Sequence, residues 1–267
     1  MGSATVHSLE RAGEILTVDT QVRGLDAAEG IFEVADALGE SAQLRGLIAD
    51  PSTDEQLRVG LITRLFTGKV ADVVVAFVEK TAALRWSSDD EFVSSIEALG
   101  ETAVALTAQQ EGNLERLEDE LFQVAQVFEG SRELQLSLSH PGEHPQAERQ
   151  LVDRLFGQQT LPETTLLVTR AVSSVRGSKV ARRLHEIAER VSAVAGRQVA
   201  DVTSARPLSE PQRAALAQAL QNEAGGPVHV NVSVDPALVG GVVVRLGDTL
   251  IDSSARTKLT QLRQAIA

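Results

Sequence analysis

Residues 29–68 read EGIFEVADALGESAQLRGLIADPSTDEQLRVGLITRLFTG, and residues 119–158 read DELFQVAQVFEGSRELQLSLSHPGEHPQAERQLVDRLFGQ. At an offset of 90 residues they are identical at 11 of 40 positions, where about three identities are expected by chance. The identical pairs are Phe32/Phe122, Val34/Val124, Ala35/Ala125, Ser41/Ser131, Leu44/Leu134, Pro51/Pro141, Gln56/Gln146, Leu61/Leu151, Arg64/Arg154, Leu65/Leu155 and Phe66/Phe156. Arg85/Arg176 and Ile96/Ile187 then match at an offset of 91, which implies one inserted residue. The chain therefore contains two divergent copies of one module.

Each copy has the apolar periodicity of short amphipathic helices. The first copy predicts helices near residues 25–38, 41–49, 54–66, 70–84 and 89–108. In the second copy an apolar stripe predicts one helix, formed by Leu114, Leu117, Leu121, Val124, Ala125 and Phe128. Ser131 then begins a short helix that His140-Pro141-Gly142 ends, because proline cannot continue a helix. A further helix ends at Gly157, another begins near Pro162, and a basic helix runs from about Lys179 to Ala195.

The last seventy residues have a different pattern. Residues 198–203 alternate with period two and are rich in β-branched side chains, which predicts a strand. Ser209 is the predicted N-cap of a helix that runs to about Glu223. Val228, Val230, Val232 and Val234 alternate strictly with polar residues and predict a half-buried strand. Further strands are predicted at residues 242–246 and 249–251, with a turn at Gly247-Asp248 and a closing helix over residues 254–266.

These patterns predict a mainly α fold: two tandem helical-bundle modules followed by a small α/β C-terminal domain. We expect a first helical module over residues 1–100, a second over residues 101–195, and an α/β domain of about four strands and two helices over residues 196–267. No stretch in residues 1–195 has convincing strand alternation.

Composition excludes several classes of protein. The chain has 267 residues, 43% of them apolar, which allows a sizeable buried core. A net charge of −12, 3% aromatic residues and no Tyr argue against binding of nucleic acid. No Cys is present, so disulfides and thiolate metal sites are excluded. The longest apolar run, at residues 73–78, is too short to span a membrane, and no export signal is visible. We therefore expect a soluble, acidic, intracellular protein.

Candidate chemical sites are weak, so no catalytic, cofactor-binding or metal-binding residue is predicted. His140 and His144 have the spacing of two metal ligands on a helix, but they flank Pro141-Gly142 and have no third ligand nearby. The His185-Glu186 pair is interpreted as solvated or half-buried rather than as a general base. Phosphate-binding loops, the G-x-S-x-G motif and H-E-x-x-H are all missing.

Charge is uneven along the chain. Residues 1–100 have a net charge of −9, residues 101–195 of −4 and residues 196–267 of +1. Six basic residues stand against two acidic ones over residues 170–190: Arg170, Arg176, Lys179, Arg182, Arg183 and Arg190. This stretch is either a solvated helix face or a docking site for an acidic partner, which includes the chain's own acidic first module; nucleic-acid binding is a third and weaker alternative.

The C-terminal pattern resembles a known family. Residues 198–209 (QVADVTSARPLS), the run from Val228 to Asp248 and the Ile251-Asp252-Ser253-Ser254 segment closely resemble the signature of the ATP synthase delta subunit, the family of the oligomycin-sensitivity-conferring protein. Upstream, Gln110-x-Gly112-x-Leu114, Pro141, Leu155-Phe156 and Arg176-Gly177 resemble that family's six-helix N-terminal domain. The usual family pattern has one such helical module, whereas this chain has two, and it has Ser253 where the family has Gly.

The resemblance implies a non-catalytic stator subunit of the F-type proton-translocating ATP synthase. The helical domain would bind the N-terminal helices of the alpha subunits, and the C-terminal domain would bind the b-type subunits of the peripheral stalk. No cofactor is implied, and the protein would lie at the cytoplasmic face of the cell membrane through the complex only. The second module would bind alpha and the first would be a spacer or brace, although both modules could instead hold alpha helices. A generic helical-repeat adaptor with an unrelated partner is the alternative.

Overall fold

The computed structural model describes residues 1–138, 145–174, 179–238, 240–246 and 249–252. By its internal contacts the chain divides into two compact units. The described residues within 1–117 and 144–173 form the first unit, and those within 118–143 and 174–267 form the second. The three-domain division expected from the sequence stays a prediction.

The first unit is entirely α-helical apart from one isolated bridge between Thr67 and Val70 and one π-helical turn, among the residues that the structure describes. Its helices are α1 (Ser3–Val18), α2 (Leu25–Gly39), α3 (Ala42–Ala49), α4 (Glu55–Phe66), α5 (Asp72–Ala82) and α6 (Asp89–Gln110), and then α9 (Pro145–Val152) and α10 (Pro162–Ser174). The five helices predicted for the first copy all form, with ends within two residues of the predicted ones. Helix α7 (Leu114–Gly130) begins in this unit and continues into the second.

The two copies begin their short third helix in the same way. The hydroxyl of Ser41 accepts a hydrogen bond from the backbone N–H of Leu44 at 3.4 Å, and that of Ser131 accepts one from Leu134 at 3.2 Å. Each serine thereby satisfies one of the N–H groups that a helix leaves unpaired at its first turn. The predicted N-cap at Ser131 is confirmed, and the helix it begins is α8 (Arg132–Ser137).

The predicted continuous helix up to Gly157 is wrong in one detail. Helix α9 ends at Val152, and residues Asp153–Gly157 form a π-helical turn. An added Cβ at Gly157 would lie 2.3 Å from the carboxylate Oδ1 of Asp153. A side chain at position 157 would therefore have to displace the Asp153 carboxylate, which is the free end of a flexible side chain.

The second unit combines helices with the predicted sheet. It contains the rest of α7, then α8, α11 (Val180–Val194) and α12 (Glu210–Ala224). The strands are β1 (Gln198–Ser204), β2 (Val228–Val234), β3 (Val242–Leu246) and β4 (Thr249–Asp252), in the order β2-β1-β3-β4. Strands β1 and β2 are parallel, and the other pairs are antiparallel. The predicted turn at Gly247-Asp248 and the predicted closing helix over residues 254–266 lie outside the described residues.

One face of the sheet packs on α12. Its core consists of Ala200, Val202, Leu220, Val228, Val244 and Leu246, with Val230 and Val232 packed against it. The predicted N-cap at Ser209 is confirmed by a capping box with Gln212, and Gly225 ends the helix in the left-handed conformation. No helix in the described ranges is both long and apolar enough to cross a membrane.

The opposite face of β2 differs from the prediction. Strict alternation predicted one solvated face, but His229 and Asn231 on that face are 9% and 4% exposed. They are buried because the face meets α7 and α11, whose side chains hydrogen-bond or pair with it.

Candidate partner-binding site

A cleft of about 940 Å³ lies where two loops of the α/β part meet. The first loop follows β1 and the second joins β2 to β3. The lining residues are Ser204, Ala205, Arg206, Pro207, Leu208, Gln212, Pro236, Leu238, Gly240, Gly241 and Val242. Most of them come from the two segments in which the sequence resembles its family.

Backbone hydrogen bonds tie the two loops together. The N–H of Asp235 donates to the carbonyl of Ser204 at 2.9 Å. The Ser204 side chain is buried, and its hydroxyl lies 2.8 Å from the carbonyl oxygen of Arg206 and 3.3 Å from that of Ser233. A buried hydroxyl that contacts both loops fixes their spacing, since leaving it unpaired would cost about 1–3 kcal/mol.

The second loop is shaped by an aspartate turn and a glycine. The carboxylate Oδ1 of Asp235 accepts a hydrogen bond from the N–H of Ala237 at 2.8 Å. Gly241, immediately before β3, has a φ of +84°. A side chain disfavours this left-handed conformation, so the backbone entering β3 favours glycine at this position.

The lining suits the binding of a protein segment. Pro207, Leu208, Pro236, Leu238 and Val242 offer apolar surface, while Arg206 and Gln212 add a charge and an amide. Over the described residues, no group of three or more His, Asp or Glu side chains could hold a metal ion.

Of the histidines that the sequence singled out, the structure describes His185. His140 and His144 lie outside the described residues. His185 is half-buried on α11, as interpreted, but it faces Glu129 and Asp201 at 3.4 and 3.5 Å.

The basic stretch divides between two environments. Arg182 is 84% exposed and pairs with Glu186 on its own helix at 3.2 Å, as expected for a solvated helix face. Arg183 lies 3.9 Å from the same carboxylate but is only 15% exposed. Arg170 instead binds acidic residues of the first module, which confirms that alternative for this residue, while Arg176 lies outside the described residues.

Arg170 joins α10 to two helices of the first module. Its two terminal nitrogens donate to the carboxylate oxygens of Asp36 at 2.7 and 2.8 Å, and Glu97 lies 3.7 Å away. The guanidinium also lies 4.7 Å from the centre of the Phe32 ring. Burial lowers the pKa of Arg170, but the hydrogen bonds and charge of Asp36, with the charges of Glu97 and Glu101, outweigh burial and raise the pKa.

Comparison with known proteins identifies the family. The family model for the ATP synthase delta (OSCP) subunit matches residues 102–266. The chain is 38% identical over 242 residues to the ATP synthase subunit delta of Beutenbergia cavernae, an alignment that covers 91% of this chain and 89% of the relative. It is 35% identical to that of Kineococcus radiotolerans, with 97% and 95% covered. The chain belongs to the ATP synthase delta (OSCP) subunit family.

Family membership confirms the resemblance drawn from the sequence. As a delta-family protein, the chain is a non-catalytic stator subunit of the F-type ATP synthase. Among solved structures, a chain of the Toxoplasma gondii mitochondrial ATP synthase hexamer is 24% identical, with 62% of this chain and 97% of that chain covered and a TM-score of 0.38.

Sequence reasoning missed the polar residues that bury themselves between α7, α11 and the sheet. Glu118 is 1% exposed although it lies on an amphipathic helix, and His229 and Asn231 are also buried. In the sequence these residues are recognisable only as polar residues beside apolar stripes. A polar residue that stays in solvent and one that a later part of the chain covers give the same pattern, so the sequence did not indicate burial.

Proposed function

We propose that this subunit connects the catalytic head of the synthase to its peripheral stalk through two separate attachments. The α/β part binds the end of the b-type stalk subunits, and the second helical module binds the N-terminal helices of alpha subunits. The protein lies at the cytoplasmic face of the cell membrane, held there by the complex. The cleft at the end of the sheet is the observation that carries this proposal.

The cleft supports stalk binding because it is built from the signature segments of the family. Its apolar residues can receive the apolar face of a helix, and the hydrogen bond from the N–H of Asp235 to the carbonyl of Ser204 fixes the spacing of the two loops before a partner arrives. A preformed cleft binds with less loss of conformational entropy. This suits an attachment that must resist force rather than turn over.

The stalk attachment is tested by titration calorimetry with a stalk peptide. Leu238→Asp places a charge in the cleft and should abolish binding while the circular dichroism spectrum stays unchanged. Gly241→Val should distort the loop and weaken binding. Gly226→Ala is the matched control in the same domain, because its added Cβ meets nothing within 4 Å. Wild-type affinity in Leu238→Asp would refute the assignment of the cleft.

Exposed apolar residues support the assignment of alpha binding to the second module. Val127 on α7 and Leu136 on α8 are 48% and 64% exposed. The equivalent positions of the first copy hold Ala37 and Gly46. Exposed apolar side chains are the contacts that an amphipathic helix needs. The first copy has none at these two positions, although it exposes Val18, Leu47 and Leu57 elsewhere.

The first module offers a matched control. Two of its own exposed apolar residues, Leu47 and Leu57, have Ser137 and Ala147 as their equivalents in the second copy. We expect Val127→Asp/Leu136→Asp to abolish binding of an alpha N-terminal peptide to the full chain and Leu47→Asp/Leu57→Asp to leave it unchanged. Loss in both variants would mean that both modules hold alpha helices, and loss only in the second would reverse the assignment.

The first module acts in this proposal as a brace on the second. The contacts of Arg170 with Asp36, Glu97 and Phe32 support this role, since they join a second-module helix to the first module. The family model begins at residue 102, whereas relatives such as that of Kineococcus radiotolerans align over 97% of this chain. Both facts fit an added module over residues 1–100 in front of the usual 101–195 and 196–267 domains.

A further inference from the structure

Two histidines each lie between two carboxylates where the helices of the second unit meet the sheet. On β2, the Nδ1 atom of His229 is 3.4 Å from Glu118 of α7, and its Nε2 atom is 3.4 Å from Asp119. Glu118 is 1% exposed, and it also accepts hydrogen bonds from Ser192 and Arg197. The histidine ring is therefore enclosed by negative charge on both sides.

The second histidine repeats the arrangement with different elements. His185 on α11 has its Nε2 atom 3.4 Å from Glu129 of α7 and its Nδ1 atom 3.5 Å from Asp201 of β1. The ring of Phe122 packs edge-on against it, with centroids 6.1 Å apart. Both histidines thus connect the helices of the second unit to its sheet.

Other charged side chains also lie on the elements around the two rings, among them Glu120 of α7 and Arg183 of α11. Arg182 and Glu189 lie one turn from His185 on its own helix, and Arg245 of β3 is the cross-strand neighbour of Asp201. Arg197 reaches Glu118 beside His229. Helix α12 packs on the opposite, valine-lined face of the sheet, so its charges do not face either ring.

The geometry suits a doubly protonated ring at both histidines. A neutral imidazole has one N–H donor and one lone pair, whereas a protonated one has two donors. When both nitrogens face carboxylates, the neutral ring directs its lone pair at a negative oxygen, and one attractive contact becomes repulsive. Histidine is the side chain whose charge normally changes between about pH 5 and 8.

We propose that His185 and His229 form a proton-dependent clamp that fixes the α/β domain to α7. When both rings carry two protons, they hold the joint closed through four contacts. When the rings lose their second protons, two of the four contacts turn repulsive while the Arg197–Glu118 pair persists. The joint then becomes looser without coming apart. The clamp rests on the geometry of the second unit and not on the identity of any partner.

The clamp is tested on the full chain by spin-label distance measurement. The natural sequence has no cysteine, so Gln123→Cys on α7 and Ala219→Cys on α12, both exposed, accept the labels without competition. We expect one narrow distance peak at pH 6 and loss of that narrow peak at pH 8.5. An unchanged peak at both pH values would overturn the proposal.

Substitutions on both sides of the clamp give the decisive comparison. His185→Gln/His229→Gln should make the distance distribution the same at both pH values. Asp119→Asn/Glu129→Gln should also remove the pH response, because an amide can pair with either form of the ring. Both of those carboxylates are 58% exposed, so this variant stays folded even where the first does not.

Exposed His7 supplies the control, since it pairs only with Glu10 of its own helix among the described residues. His7→Gln should respond to pH as the wild type does. A wild-type pH response that survives in Asp119→Asn/Glu129→Gln would overturn the clamp.

Discussion

Arg58 in the first copy of the repeat and Glu148 in the second copy occupy equivalent positions, and both are 6% exposed. The guanidinium of Arg58 donates to the carbonyls of Ala82 and Leu84 at 2.8 and 2.9 Å, at the C-terminal end of α5. The carboxylate of Glu148 accepts a hydrogen bond from the hydroxyl of Ser173, at the end of α10, at 3.1 Å. The same place between two helices is thus stabilised by opposite charges.

Other positions have kept their role in both copies. Ser41 and Ser131 cap the same short helix, and Phe66 and Phe156 are both buried. Positions in contact with a neighbour have diverged: Lys80 pairs with Asp19 of its own copy, whereas the equivalent Arg170 binds Asp36 of the other copy. Apolar packing and caps therefore constrain a duplicated framework, and polar contacts can change once each side chain finds a partner.

The largest expected effect tests whether equivalent phenylalanines have the same packing role in the two copies. Phe66→Ala and Phe156→Ala should each destabilise the protein by about 3–5 kcal/mol, because both remove a buried ring and leave a cavity. Urea unfolding followed by circular dichroism measures the loss. If Phe156→Ala lowers the free energy of unfolding by less than half as much as Phe66→Ala, the two positions do not have the same packing role.

The second prediction concerns the position where the copies differ. Arg58→Met should cost about 1.5–3 kcal/mol, since it leaves carbonyl oxygens at the end of α5 without a charged donor. Arg64→Met, on the exposed side of the same helix, should change stability by less than about 0.5 kcal/mol. The same urea titration distinguishes them, and equal effects for the two variants would contradict the cap assigned to Arg58.

A smaller effect is expected where the first module meets α10. Arg170→Lys keeps the charge but loses the two-pronged contact with Asp36, which should cost about 1 kcal/mol. The reciprocal change Lys80→Arg lies at an exposed pair and should have almost no effect. If the two exchanges cost the same in thermal unfolding, Arg170 has no special role in joining the copies.

The smallest effect depends on pH at the start of the first copy. The backbone N–H of Gly2 donates to Glu91, and hydrogen bonding from Thr5 and then from Gly2, together with the charge of the N-terminus, lowers the pKa of Glu91 despite an opposing effect of burial. A lowered pKa adds stability above the ordinary range of glutamate and loses it as pH falls through the folded-state value.

Glu91→Gln should therefore flatten the decline in urea midpoint below about pH 5. The fluorescence of Trp86, the only tryptophan, follows the unfolding. Trp86 is a suitable probe because the neighbouring Ser87 accepts a hydrogen bond from the backbone N–H of Thr5 on α1. Glu33→Gln, on the exposed face of α2, should leave the decline unchanged. An identical pH profile in wild type and Glu91→Gln would show that this carboxylate does not stabilise the packing of α1.

The sequence predicted the helices and strands well because apolar periodicity, caps and glycine breaks are local signals. Ser131, Pro162 and Ser209 all have the roles expected of them. Polar contacts over long separations were not predictable: Arg170 and Asp36 are 134 residues apart, and Glu118 and Arg197 are 79 apart. Their partners are chosen by the fold, which no short window of sequence contains. The cleft was not predicted from the sequence, since the family resemblance implied only that the C-terminal domain binds the stalk.

Helix α6 belongs to both copies at once. Its residues 89–103 align with α11 at an offset of 91, and its residues 93–108 align with α1 at an offset of 90. It is buried along most of its length, including the unbroken run from Ala103 to Ala108. The last helix of one copy is therefore the first helix of the next. A gene duplication of about ninety codons could therefore extend this chain without adding a new linker. Each new copy would use the last helix of the preceding copy, which is already packed, as its own first helix.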